Sequence, residues 1–278
     1  TIRMIMLFIR YKTREAQLKM DLQLKQMEKQ NIEISHNMGV QMFTNFSHEL
    51  RTPLTLIIAP LTDLLHKEDM PPAYRQPLEL INRNSQRLLW LVNRLMDFHK
   101  LEAGKMQLHV SNYNLGTYIP EIIKLFMPVA EKKNISIEFN DTTSSTDTWF
   151  DAILLEKVFF NLLSNSLKHT PNGGYIIISS METNTEDIQK PENLGLPAGK
   201  ILLIKVEDSG SGIPANMMPR IFEAFFQAGE KVLGSGIGLN LTKSIIELHG
   251  GRIWIDNKEG HGMTVSFTLP LGKDSYTE

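Results

Sequence analysis

The chain has 278 residues, 42% hydrophobic and 22% charged, enough apolar material for about two domains with buried cores and too much for a disordered chain. Its formal charge of −2 gives no basic surplus for nucleic acid, so an anionic ligand must be held by local groups. The absence of cysteine excludes disulfides, thiolate metal sites and thiol nucleophiles.

The opening "TIRMIMLFIRYKTR" holds an apolar run from Met4 to Ile9, flanked by Arg3 and by Arg10, Lys12 and Arg14. A spanning helix needs about 20 apolar residues, so this run cannot cross a bilayer alone. It reads either as a short buried helix start or as the inner end of a truncated membrane helix with its basic cytoplasmic flank. From Met20 the positions Met20, Leu24, Met27, Asn31, Ile34 and Met38 alternate at four and three, a heptad seam with a polar residue of the kind that sets register in two-stranded coiled coils. The alternative is an amphipathic helix packed on its own domain.

The stripe continues through Phe43, Phe46, Leu50, Leu54, Ile57, Leu61 and Leu64. At about 100° per residue, His48 and Thr52 fall on the wet face opposite those side chains. Pro53 removes a backbone donor and is expected to bend the helix just beyond the histidine. After "HKEDMPPAYRQP", the series Leu78, Ile81, Ser85, Leu88, Val92 and Leu95 predicts a second long helix, with Gly104 as a left-handed cap. Two antiparallel helices expose too much apolar edge alone, so two hairpins are expected to pair into a four-helix bundle.

Beyond Asn112 the texture becomes mixed. Helices are predicted over 115–133, 153–169 and 240–249, and strands at "ISIEF", "YIIISS", "ILLIKVED", "GRIWIDN" and "MTVSFTLP". The stretch "METNTEDIQKPENLGLPAGK" reads as a solvent loop. This grouping implies an α+β sandwich, one helical layer on one sheet.

Four stretches of this second region carry chemistry. "FFNLLSNSLKHTP" places Asn161, Asn165 and Lys168 at successive turns, an amide oxygen suiting magnesium and a lysine suiting phosphate. "VEDSGSGIP" has Asp208 at a strand end before Gly210 and Gly212, a carboxylate for an exocyclic amine beside glycines that admit a flat ring. "GSGIGLNLTKSI" sets Gly234, Gly236 and Gly238 ahead of a helix whose positive end suits polyphosphate, without a Walker ending. "RIFEAFFQAGEKV" is aromatic, with Phe222, Phe225 and Phe226 as core or as a clasp over a nucleotide. Each alone has an ordinary structural explanation; their order within about a hundred residues is the unusual feature.

In that order the chain resembles the sensor histidine kinases of two-component systems. "FSHELRTPL" matches their H box, "NLLSNSLKHTP" the N box, "DSGSGIP" the first glycine box, "IFEAFFQ" the F box, "GSGIGL" the second glycine box and "ELHGGRIWIDNKEGHGMTVSFTLP" the closing segment, over residues 40–271. The resemblance implies ATP and Mg2+ as cofactors, His48 as phosphoacceptor and Glu49 as the base polarising it. It makes Asn165 the metal ligand supported by Asn161, brings Lys168 to phosphate and aims Asp208 at the adenine amino group. Gly210, Gly212, His169 and Phe222 would border the nucleotide, and Gly234, Gly236, Gly238 and Leu239 its phosphates. The ATP-binding domain would have the Bergerat fold of DNA gyrase, Hsp90 and MutL. Those relatives use a carboxylate one turn before the metal asparagine; Asn161 is an amide, which favours transfer to histidine over hydrolysis. "HELRT" also fits the HExxT pattern that the family links to dephosphorylating the partner regulator, with Thr52 positioning a water.

His169 stands where an aromatic is frequent, and the 181–200 connection is longer than a minimal hairpin. The H box and its run into "TLIIAPLTDLL" resemble hybrid versions that carry a receiver domain. The resulting plan is a membrane-helix end over 1–14, a coiled-coil helix over 15–41, a dimerisation and phosphotransfer domain over 42–110, an ATP-binding domain over 111–272 and a linker start over 273–278. The implied assembly is a homodimer, anchored to a bacterial inner membrane with this portion cytoplasmic, whose partner is a response-regulator receiver.

Overall fold

The computed structural model describes residues 14, 15, 19, 20, 25, 27, 47, 49–67, 70–143, 148–188, 199–227, 236–258 and 260–276. The membrane-helix end over 1–14, most of the coiled-coil seam, His48 and Gly234 lie outside them; Met20 and Met27, two of the seam positions, are helical and exposed. No helix among the described residues is long and apolar enough to cross a membrane. The chain forms two compact units, residues 1–106 and 107–278.

In the first unit, helix α1, described over 49–65, and α2, Pro72–Glu102, form the expected hairpin. α1 runs on through Pro53 and Pro60. Arg51 binds α1 to α2, its Nε and Nη2 donating to Asn93 Oδ1 at 3.2 and 2.9 Å, and Arg75 caps α1 by donating to the carbonyls of Leu65 and Lys67. α2 ends as the sequence predicts. Gly104, at φ +62°, donates to Leu101 O, and Lys105 N donates to Lys100 O at 2.8 Å, the two bonds of a Schellman cap. Leu54, Met96 and Phe98 are buried, but Leu50, Ile57, Leu64, Ile81 and Leu88 remain 40–50% exposed. One hairpin therefore does not cover the apolar stripe that the spacing predicts.

The second unit begins with a ribbon absent from the sequence prediction: β1, Ser111–Tyr113, pairs antiparallel with β3, Thr148–Phe150. Between them lie α3, Leu115–Lys132, capped by Asn114 Oδ1, and β2, Ser136–Asp141. α4, Ala152–His169, is capped by Asp151, whose Oδ1 accepts from Leu154 N at 3.0 Å. β4 is Tyr175–Asn184, β5 Lys200–Asp208, α5 Gly238–Leu248, β6 Ile253–Lys258 and β7 Gly262–Pro270. The sheet order is β2-β4-β5-β7-β6, antiparallel except for β2 against β4. β4 is longer than the sequence suggested: Met181–Asn184 belong to the strand, paired with Leu203 back to Lys200. That pairing satisfies backbone groups a solvent loop would leave to water, and it overrides the polar composition.

The core lies between the helices and the sheet. Leu155, Phe159, Leu162 and Leu163 of α4 meet a sheet face built from Ile176, Ile178, Ile204 and Phe267, all 2% exposed or less, with Phe159 and Phe267 edge to face at 6.0 Å. Each such side chain contributes about 1.5–3 kcal/mol by burial. This is the α+β sandwich expected, and its layering sets the C-terminal half of α4 beside the end of β5.

Candidate functional site

The core side of α4 reads Leu155, Phe159, Leu162 and then Ser166, a hydroxyl where the spacing calls for another apolar residue. Ser166 is 3% exposed and donates to Asp208 Oδ2 at 3.0 Å. Asp208, the last residue of β5 and 4% exposed, also accepts from Gly210 N at 3.0 Å. Burial raises its carboxyl above the ordinary carboxylate range, while the Gly210 N–H, the Ser166 hydroxyl, His169 and the Met263 N–H act in the opposite direction. A carboxylate offers about four acceptor directions, so three donors leave about one for a ligand donor. A Cβ on Gly210 would lie 2.8 Å from Asp208 Oδ1 and 3.0 Å from His169 O, so the turn closes over the carboxylate only with glycine.

The same turn is pinned from β6. Ile213 N donates to Asn257 Oδ1 and Asn257 Nδ2 donates to Ile213 O, both at 2.7 Å. Gly212, at φ +66°, lies just before this clamp. Near the other side, Thr170 is 2% exposed and its Oγ1 has no hydrogen-bond partner.

Asn161 is buried, its Nδ2 donating to Gly238 O at 3.4 Å and Thr242 Oγ1 at 3.3 Å. It fastens α4 to the start of α5. Asn165, one turn on, is half-buried, and Lys168 and His169 are exposed. Loss of hydration, with Lys168 next to it, lowers the His169 pKa. α5 begins at Gly238 without a side-chain cap, so its first-turn N–H groups, including those of Leu239 and Asn240, are available to an anion. Phe225 N donates to Gly236 O at 3.0 Å, and Asn240 Nδ2 donates to Phe222 O at 2.9 Å, tying the aromatic segment to the start of α5.

The structure thus brings together Asp208, Gly210, Gly212 and the end of α4 on one side, and Phe222, Gly236, Gly238, Leu239 and Asn161 at the start of α5 on the other. This donor set fits an adenine nucleotide: a buried carboxylate for an amine, glycines for a flat ring and an uncapped helix for phosphates. Among the described residues no group of three His, Asp or Glu could hold a metal ion. Asn165, half-buried, offers one amide oxygen of the hard kind that magnesium takes alongside water and phosphate oxygens. In the first unit Glu49 and Thr52 are exposed, and Ser47 and Leu54 are buried.

Ser166, Asn257 and Asn240 escaped the sequence reading. So did His249, 1% exposed, whose Nε2 accepts from Asp151 N at 3.1 Å while Nδ1 donates to Ile245 O at 2.7 Å. Asp151 Oδ2 in turn accepts from His109 N at 2.8 Å, so the residues entering this unit are fastened at the start of α4. Only Ser166 left a signal, a polar residue in an apolar series.

The His Kinase A (phospho-acceptor) domain model matches residues 40–104, and the histidine kinase-, DNA gyrase B- and HSP90-like ATPase model matches 150–273. Histidine kinase P4 of Formosa agariphila is 35% identical over 93% of this chain, and hybrid signal transduction histidine kinase D of Dictyostelium discoideum is 37% identical over 83%. The chain spans only 18% and 15% of those two proteins. Full-length ShkA in complex with AMPPNP superposes with a TM-score of 0.68 at 22% identity, over 84% of this chain and 46% of that one. Histidine kinase ThkA in complex with the response regulator TrrA gives 0.53 at 24%, over 84% and 62%.

Proposed function

The chain belongs to the sensor histidine kinases, and we propose that it transfers the γ-phosphoryl group of ATP to His48 and passes it on to an aspartate of a response-regulator receiver domain. The observation that carries this reading is the buried Asp208 carboxylate, held by Ser166 and Gly210, in the same unit as the uncapped start of α5. One end of that arrangement suits an adenine amine and the other a triphosphate.

A histidine with pKa near about 6.5 is largely neutral at cell pH, so a ring nitrogen can form the N–P bond as the bond from phosphorus to the bridging oxygen breaks and ADP leaves. Glu49, next to it in sequence and exposed, takes or orients the proton on the other ring nitrogen. Asn165 would hold magnesium, which when bound would supply positive charge near the transferring group, and Lys168 adds its own charge there. Asn161 is fully engaged through its amide nitrogen and carries no carboxylate, which supports phosphotransfer over steady hydrolysis. Thr52, exposed four residues after His48, would position a water for dephosphorylating the regulator.

The half-exposed leucines and isoleucines of α1 and α2 support a homodimer in which a second hairpin covers them. The response-regulator partner is supported by the family and by the regulator-bound ThkA complex. The domain plan rests on the helical stripes and the order of the motifs, and the membrane anchor and a cytoplasmic location for this portion rest on the basic flank at Arg10, Lys12 and Arg14.

The test is labelling with γ-labelled ATP. Acid-labile, alkali-stable label on the wild type that is lost in His48→Ala supports the kinase. Steady release of free phosphate without label would sink it in favour of an ATPase.

A further inference from the structure

We propose that Asn240 is a positioning residue for the phosphate end of the nucleotide, an inference that rests on the ATP-binding reading above. Asn240 sits in the first turn of α5 and spends its amide on another segment: Nδ2 donates to Phe222 O at 2.9 Å. Lys243, one turn further on the same helix, places Nζ over the Phe222 ring at 5.7 Å. Three residues after Phe222, the Phe225 N–H donates to Gly236 O at 3.0 Å. Phe222 is therefore fastened to α5 itself, and Phe225 to Gly236, two residues before the helix begins.

The second fastening is strained at Phe225 and needs glycine at its partner. Phe225 has φ +64°, which a bulky side chain seldom adopts, and Gly236 has φ +68°. A Cβ on Gly236 would stand 2.5 Å from the Phe225 carbonyl carbon. Strain at Phe225 persists only where neighbouring contacts impose it, and the Asn240 amide, bonded three residues earlier at Phe222, is a polar contact from α5 that holds this segment. Its consequence is geometric. The amide holds the aromatic segment against Gly236, and Gly236 leads directly into the first-turn N–H groups of Gly238, Leu239 and Asn240. Asn240 thereby fixes where those donors point without meeting the adenine side at Asp208.

The experiment compares Asn240→Ala with wild type for ATP and for adenosine, which has no phosphates. Losing one amide–carbonyl bond corresponds to about two- to twelvefold. The expected result is that rise in KM for ATP, kcat for His48 labelling within about twofold, and adenosine affinity unchanged. Equal weakening of adenosine and ATP would show a general structural role and overturn the proposal, as would unchanged ATP affinity. Asn240→Ser, which keeps a small polar group but cannot reach Phe222 O, repeats the test if the alanine variant does not fold; unfolding of both marks Asn240 as structural and also overturns it. A wild type that binds no ATP overturns the nucleotide reading itself, whereas a binding wild type with an indifferent Asn240 overturns only this inference.

Discussion

Replacing Asp208 with asparagine separates binding from folding, because the same carboxylate is an asset to one and a burden to the other. Gly210 N–H needs an acceptor at 3.0 Å, so the amide oxygen takes that place, and the amide nitrogen takes the position beside Ser166, whose hydroxyl can rotate to accept. The ligand amine then meets N–H instead of a carboxylate oxygen. Losing a hydrogen bond to a charged group costs about 1.5–3 kcal/mol, which is about 10- to 150-fold in Kd. The fold responds in the opposite direction. Burial, the largest influence on Asp208, raises its pKa. Its contribution to stability is therefore present below the unfolded value, near about pH 4, and is lost as pH rises through the raised folded value. A neutral amide escapes that loss. Titration calorimetry with ATP should show the weaker binding, and thermal melts should place Asp208→Asn at or above wild type at pH 7.5, the gap closing below about pH 4. A folded variant with wild-type ATP affinity refutes the assignment of Asp208, and a clear fall in Tm at pH 7.5 refutes the desolvation reasoning.

His249 provides a second pH readout: burial lowers its pKa, opposed by Ile245 O and Asp151, so the native state loses stability as pH falls through about 6.5 and the unfolded state gains the proton first. In melts from pH 8 to pH 5, His249→Gln should show a flatter slope than wild type, whatever its absolute Tm; an unchanged slope refutes the assignment. Gly236→Ala should weaken ATP binding and cost more than the about 1–2 kcal/mol of a left-handed residue, because its Cβ meets Phe225 backbone at 2.5 Å. Gly104→Ala, with φ +62° and nothing within 4 Å, should cost only that conformational penalty and leave ATP affinity alone; equal effects in denaturant titrations and binding assays would contradict the distinction.

Much of the fold was legible because burial imposes periodicity. α3 and α4 follow their apolar spacings to within a residue or two, and Gly104 marked a real cap, whereas α2 starts at Pro72, inside the stretch read as a break, because proline is tolerated in the first turn. β1 and β3 were not legible, since three-residue strands are too short to show alternation and form only by pairing with each other. Met181–Asn184 were misassigned because a polar strand looks like a loop until its partner, Leu203 back to Lys200, is in place. In the site, Asp208, Asn161 and the glycines stood out by type and order. Ser166, Asn240, Asn257 and His249 did not, because a polar side chain's role depends on what faces it.

The order of motifs, the two helical stripes and the glycine positions were set by local chemistry, in which each residue's preference for burial, turn or helix can be read from its neighbours in the chain. Tertiary structure alone decided which amide holds which carbonyl: Asn240 to Phe222, Asn257 to Ile213, Asn161 to the start of α5. Those contacts join residues between 18 and 77 positions apart. A hydrogen bond depends on distance and direction in space, and linear spacing carries neither over that range.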